Sequence, residues 1–354
     1  MVDHQGHEHH EHHEHGGAQR VGYASPDDAR GAPREDFVYV AALHTGTGVG
    51  APDFLGVVDV NPDSDAYGQI THRTQMPNVG DELHHYGWQV CSSACHTDLT
   101  RQYMVVPGFR TSNIHIVDVA SDPRKPQITK VIEGAEIKRK TGLSAPHTVH
   151  CMPGEIVVMS MLGDANGDAP GGMAVLDAKN FDVLGRWEHE KNGLQFMYDF
   201  WYQPRKNAMI TSEWAAPNTF QPGFNLEDVS AGKYGHSVHF WDLAERKVTQ
   251  SIDLGAEGMI PLEVRWFHNP EAETGFVGAA LSSAIFRWYR EGGQWKVKKV
   301  IQVETHEVAG WPFPVPGLIT DLVLSMDDRF LYFSDWLHGD LRQYDVSDPD
   351  NPRL

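Results

Sequence analysis

The sequence predicts an all-β fold, a β-propeller with enough strands for about five to six blades. A recurring signature is the first observation behind this. An apolar strand ends on an acidic residue and is followed by a turn and another strand, as in FLGVVDVNPDS (54–64), IHIVDVASDP (114–123), MAVLDAKNFDV (173–183), VHFWDLAERKV (238–248) and LRQYDVSDPDNP (341–352). Asp59, Asp118, Asp177, Asp242 and Asp345 mark equivalent places, and IFRWYREGGQW (285–295) fills the gap between the last two. The second observation is spacing: the beats lie roughly 50–65 residues apart, a propeller-blade interval with generous loops. The third is that each signature strand follows another apolar strand, and in five of the six cases a still earlier one precedes that. Strand, turn, strand, turn, strand, turn, strand is the four-stranded blade. A pair of β-sandwiches is the rival architecture, and the regular order over five units argues against it.

Taken in order, the chain opens on MVDHQGHEHHEHHEHGG, where seven histidines alternate with glutamates. Residues 1–30 are expected to be a solvated, disordered tail, and its histidines suit weak binding of Cu, Ni or Zn. The tail has neither the apolar core of a signal peptide nor the basic residues of a transit peptide, so a cytoplasmic location is expected. Residues 31–354 are expected to form the propeller. Its middle strands are FVYVAAL (37–43), QYMVVPG (102–108), EIVVMSML (155–162), NAMITSEW (207–214), GFVGAALS (275–282) and RFLYFSDW (329–336). The preceding inner strands are LHHYGWQV (83–90), PHTVHCMP (146–153), YDFWYQPR (198–205), PLEVRWFH (261–268) and LITDLVLS (318–325). The first blade has no inner strand before Phe37. Helical period appears only near Glu133–Arg139 and Leu226–Gly232. GDANGDAPGG (163–172) lacks the bidentate acid of a Ca2+ loop and reads as a hairpin connection.

Composition narrows the function classes. A formal net charge of -19 opposes nucleic acid or anionic membrane as main partner. No apolar run approaches the length of a membrane span. Three cysteines exclude a disulfide scaffold and favour a reducing compartment. Two of them, Cys91 and Cys95, fall in DELHHYGWQVCSSACHTD (81–98) beside His84, His85 and His96. Imidazole and thiolate donors of this kind suit copper or zinc, and thiolates also capture sulfur and selenium.

In a propeller the innermost strands line the central channel. Registering them on one another places His84/His85, His147, Tyr198/Asp199, Glu263 and Asp321 around one mouth. Carboxylates converging there repel one another, which a bound cation offsets. The two-residue period of a strand puts His84 and His85 on opposite faces, and separates His147 from His150. Cys91 lies at the far end of the same strand, roughly 20 Å from the histidines at strand rise. His236 and His239 flank a third strand and are expected to be structural.

At this point the sequence resembles the selenium-binding protein / methanethiol oxidase family, from about Gly31 to Leu354. The stretches that carry the resemblance include APDFLGVVDV, MPNVGDELHHYGW followed by CSS, YDFWYQPR, TSEWAAPN, FNLEDVSAGKYG, GLITD and SMDDRFLYFSDWLHGDLRQYDVSDPDNPRL. The resemblance implies a seven-bladed ring, incomplete in this chain at its C-terminal side, because family members continue further. It implies oxidation of methanethiol by O2 and water to formaldehyde, hydrogen sulfide and hydrogen peroxide, with copper as the metal. It also implies a further family histidine beyond Leu354. The thiol tied to selenium in animal members falls near Gly68, where this chain has no cysteine.

The first expectation is therefore an oxidoreductase taking a small thiol and O2. His84, His85 and His147 are the metal ligands. Glu263, Asp321 or Asp199 orient imidazoles or accept a proton, and Tyr198 and Trp88 wall a methyl group. The alternative is a redox protein that binds selenium or sulfur through Cys91 without turnover. A Ca2+-dependent hydrolase prefers oxygen ligands at the axis, and the histidine pair argues against it. A scaffold has no need of convergent imidazoles.

Overall fold

The computed structural model describes residues 23, 26–90, 99–189, 193–311 and 313–354. They form six antiparallel sheets in chain order. After a short helix, α1 (Pro26–Arg30), blade 1 comprises β1 (Phe37–Ala42), β2 (Phe54–Asp59) and β3 (Ile70–Gln75). Blade 2 comprises β4 (Gly87–Trp88), β5 (Tyr103–Pro107), β6 (Ile114–Asp118) and β7 (Gln127–Ile132). Helix α2 (Gly134–Thr141) leads into blade 3, made of β8 (Leu143–Met152), β9 (Ile156–Asp164), β10 (Gly172–Asp177) and β11 (Val183–Arg186).

Blade 4 contains β12 (Phe200–Gln203), β13 (Ala208–Ser212), β14 (Ser237–Asp242) and β15 (Lys247–Asp253), with helices α3 (Pro217–Phe220) and α4 (Leu226–Ser230) in its β13–β14 connection. Blade 5 contains β16 (Pro261–Trp266), β17 (Thr274–Ala279), β18 (Ala284–Glu291) and β19 (Gln294–Gln302). Blade 6 contains β20 (Ile319–Leu324), β21 (Phe330–Asp335) and β22 (Asp340–Asp345). The fold is an all-β propeller with six blades among the described residues, within the five to six expected for this chain. The expected tail boundary at residue 30 falls after α1, whose Pro26 and Ala29 line a cavity that also touches His85 and Glu263.

The acidic residue that repeats through the sequence has a local cause. Each carboxylate accepts backbone N–H groups of the turn that follows the third strand: Asp59 from Asn61, Asp118 from Ala120 and Ser121, Asp177 from Lys179 and Asn180, Asp242 from Glu245, and Asp345 from Ser347. These Asx-type caps set the reversal that in blades 1 to 4 leads into the outer strand. Blade 5 makes the same reversal with Gly292 and Gly293 at positive φ. The pattern is thus turn chemistry, and its period is the blade period.

Alternate strand residues pack blade on blade. Val105, Ile116, Val149 and Met159 fill the blade 2–3 interface, Met173, Trp187, Met209 and Trp241 the blade 3–4 interface, and Phe240, Val264, Trp288 and Trp295 the blade 4–5 interface. Phe276, Ile319, Leu322 and Phe333 join blades 5 and 6. Burying such side chains is worth about 1.5–3 kcal/mol each. Around the axis the inner strands approach closely at Gly87, where any β-carbon would collide with the carbonyl of Val149 on β8. That close approach draws the segment before β4 against blade 3.

Candidate active site

The segment LHHYGW was expected to be a regular strand from residue 83. Only Gly87–Trp88 pairs as β4, while Leu83 makes an isolated bridge to Gly108. Glu82 takes a left-handed φ of 53°, and Leu83 N–H is held by the Asp53 carboxylate at 3.0 Å. His84 and His85 therefore lie in irregular chain, where strand alternation does not apply. This corrects the expectation that they face opposite ways. Both rings meet His147 of β8, with centroids 4.4 and 4.3 Å away. One ligating atom from each of His84, His85 and His147 lies within 4.8 Å of the others.

Burial, reinforced by the neighbouring His85, pulls the pKa of His84 down to about 3. His147 is fully buried and is also held well below the usual range, by burial and then by the other two imidazoles. Burial lowers His85 as well, against the opposing charges of Asp199 and Asp321. Three neutral rings thus bring ligating nitrogens together, and His147 Nε2 is buried without a hydrogen-bond partner. That is the donor set and protonation state a copper ion takes. Phe109, in the β5–β6 turn, stacks on His84 at 5.2 Å, and Phe220 and Trp214 continue the aromatic wall. Tyr198 lies 4.0 Å from His147, ring to ring, and is buried.

Below the imidazoles lies a carboxylate cluster. Glu263 Oε2 is 3.8 Å from His85 Nε2. Glu263 also pairs closely with Arg265, which reaches Asp199 Oδ2 at 3.4 Å and Asp321 at 3.8 Å. Burial raises Glu263 to about 8, with Arg265 opposing and Asp321 adding to the rise. Asp199 is raised to about 7 by burial and by Glu263, again against Arg265. Burial, then Glu263 and Asp199, hold the Tyr198 hydroxyl well above its ordinary value. Asp199 Oδ1 accepts the Thr148 hydroxyl at 2.6 Å, and its Oδ2 accepts Val264 N–H at 2.8 Å. Asp321 sits at the rim, 54 % exposed.

The sequence reading missed Arg265 and Thr148. Glu263 and Arg265 are i and i+2 on β16, so strand period was the available signal for the first. Thr148 carried no signal, because its value lies in contacts across blades. His150 was separated from His147 as expected: its ring packs edge-on against Trp201 and Phe200. It faces a cavity of about 650 Å³ that also touches His85, Glu263, Arg265 and Trp88. A larger cavity of about 790 Å³, near Asp168, Phe196 and Asn218, touches none of the three imidazoles. Cys91, Cys95 and His96 lie outside the described residues, and Cys151 is buried on β8.

His236 pairs with Asp253, and His239 with Glu213 and Ser251, so both are structural as expected. A second grouping of ligand-type residues, Asp335, His338 and Asp340, lies at the β21–β22 hairpin of blade 6. Arg342 Nε approaches Asp335 to 2.7 Å and supplies the positive charge there.

Comparison with known proteins places the chain in a family. The family model of the 56kDa selenium binding protein (SBP56) matches residues 18–354. The chain is 53 % identical over 337 residues to a methanethiol oxidase of Xenopus laevis and 52 % identical to that of Homo sapiens, covering 94 % of this chain and 71 % of each relative. An X-ray structure of a hypothetical selenium-binding protein from Sulfolobus tokodaii superposes with a TM-score of 0.91 at 43 % identity, over 94 % of this chain and 76 % of that one. The match over residues 18–354 and the identity to these relatives show that the chain belongs to the 56kDa selenium binding protein (SBP56) family.

Proposed function

We propose that the protein is a copper-dependent methanethiol oxidase, converting methanethiol, O2 and water to formaldehyde, hydrogen sulfide and hydrogen peroxide. The observation that carries this is the cluster of neutral imidazoles of His84, His85 and His147, set beside buried carboxyl groups that titrate near neutrality. The relatives' names supply the substrate. The reaction removes two electrons from the carbon–sulfur unit and delivers them to O2. It therefore needs a one-electron metal, a site for the thiol and a base for protons leaving sulfur and carbon.

Copper held by His84, His85 and His147 supplies one-electron redox chemistry and favours the thiolate form of the substrate. The chain's own residues do the rest. Phe109 and Tyr198 give the methyl group an apolar wall and exclude bulk water. Glu263, close to His85, is the base we assign to the substrate carbon, because a carboxyl poised near neutral pH both accepts and releases protons. Arg265 stays protonated: burial disfavours its charge, but Glu263, Asp199 and Asp321 outweigh that and raise its pKa. It thereby keeps two buried carboxyl groups from repelling each other.

We also read the six blades as part of a seven-bladed ring. Support comes from apolar residues of the two three-stranded blades that face solvent: Val40 in β1 is 46 % exposed and Val323 in β20 is 52 % exposed. Among the described strand residues of the four inner blades, Leu184 in the outer strand β11 is the single exposed large apolar residue. The decisive assay is hydrogen sulfide and formaldehyde release from methanethiol by the copper-loaded protein, with His147→Ala as the control expected to lose turnover. Copper bound at the propeller site without turnover overturns the proposal.

A further inference from the structure

We propose that Thr148 is a positioning residue that fixes the ring tautomer of His147, with Asp199 as its anchor, so that Nε2 is the bare nitrogen presented to the metal. This rests on the reading of His84, His85 and His147 as a metal site. The argument is one of hydrogen-bond inventory. A threonine hydroxyl has one proton to donate and can accept others. The Thr148 hydroxyl donates to Asp199 Oδ1 at 2.6 Å, and the same oxygen lies 3.0 Å from His147 Nδ1. While Asp199 is ionised, Thr148 Oγ1 commits its proton to the carboxylate and serves Nδ1 as an acceptor. Nδ1 must therefore carry the ring hydrogen, and Nε2 must carry the lone pair.

The second, independent observation is that His147 Nε2 is buried with no hydrogen-bond partner. It is the atom the relay leaves bare. Asp199 is itself fixed, because Oδ2 accepts Val264 N–H at 2.8 Å and faces Arg265 at 3.4 Å. All three side chains of the relay are buried. The relay also crosses blades: His147 and Thr148 belong to blade 3, Asp199 precedes β12 of blade 4, and Val264 lies in β16 of blade 5. A metal-binding imidazole oriented through its other nitrogen by a carboxylate is a recurrent arrangement, and losing the orienting partner costs about 10–100-fold in metal affinity.

Substitution at Asp199 makes the idea sharp. In Asp199→Asn the Val264 N–H still requires an acceptor, so the amide oxygen stays on that side and the amide nitrogen turns to Thr148. The nitrogen donates to Thr148 Oγ1, the hydroxyl then donates to His147 Nδ1, and the ring hydrogen moves to Nε2. The test is 15N NMR of the His147 ring in metal-free protein at alkaline pH, where Asp199 is ionised. The wild type is expected to show protonated Nδ1 and bare Nε2, Asp199→Asn the reverse, and Thr148→Val neither form fixed, while Thr148→Ser restores the wild-type pattern. Copper(II) affinity by chelator competition is read alongside, in full-length protein whose tail histidines (His4, His7, His9, His10, His12, His13 and His15) are changed to Gln. Thr148→Val is expected to weaken it about 10–100-fold.

A wild-type His147 protonated at Nε2 overturns the proposal, as does an unchanged tautomer in Asp199→Asn. The tautomer is read without metal or substrate. Failure of methanethiol turnover with Nδ1 protonated therefore refutes the proposed reaction and leaves the positioning role standing.

Discussion

His85 Nε2 and Glu263 Oε2 lie 3.8 Å apart, although one precedes the inner strand of blade 2 and the other lies within the inner strand of blade 5. The contact crosses the axis of the propeller. It links the imidazole group to the carboxyl cluster, so substitutions on either side act on both.

The first consequence is a pH dependence. Glu263 rises from an ordinary 4.5 to about 8, so the native state keeps a proton that the unfolded chain releases. Its contribution to stability is complete below about pH 4.5 and is lost as pH rises toward 8. Asp199, raised from 3.8 to about 7, acts in the same direction. Glu263→Gln removes the first of these losses. The stability of Glu263→Gln relative to wild type is therefore expected to rise between pH 5 and 8 in chemical denaturation of the metal-free protein. Parallel stability curves would contradict the assignment.

Arg265 is the counter-charge to two buried carboxylates, and it also lies over the Trp201 ring at 4.8 Å. Arg265→Met keeps much of the apolar stem and removes the charge. Breaking a buried pair in this way costs about 3–5 kcal/mol. The loss should be largest at alkaline pH, where both carboxyl groups ionise, and denaturation at pH 6 and 9 measures it. Equal losses at the two pH values would argue against the pairing.

Gly87 admits the close approach of β4 to β8. Gly87→Ala places a methyl against the Val149 carbonyl, and such overpacking costs about 1–3 kcal/mol. Because His85 lies two residues before Gly87 and must reach His147, copper affinity is expected to fall together with stability. Retention of wild-type affinity in a destabilised variant would show that the histidine segment is held independently.

Blade packing gives a prediction that does not involve the site. Phe240 of blade 4 stacks on Trp295 of blade 5, with centroids 4.5 Å apart and planes 7° from parallel. Phe240→Ala is expected to cost about 3–5 kcal/mol. The metal affinity of the folded variant should be unchanged, as titration of both proteins under native conditions would reveal.

The sequence alone determined the blade order, because the apolar strand and the turn recur in every unit, five of the six with a capping aspartate, and each is locally encoded. It determined the participants of the channel as well, since inner strands bring their first residues to one mouth: His84, His85, His147, Tyr198, Asp199 and Glu263 were all legible. The relation of His84 to His85 was not legible. Strand period separates them, while the contacts of Leu83 with Gly108 and Asp53 bend the segment so that both rings turn inward. Nor could the sequence reveal the chain of contacts from His147 through Thr148 to Asp199, or Arg265 standing between two carboxyl groups. Those depend on side chains of three blades meeting within hydrogen-bond distance, and only the closure of the blades around one axis decides that.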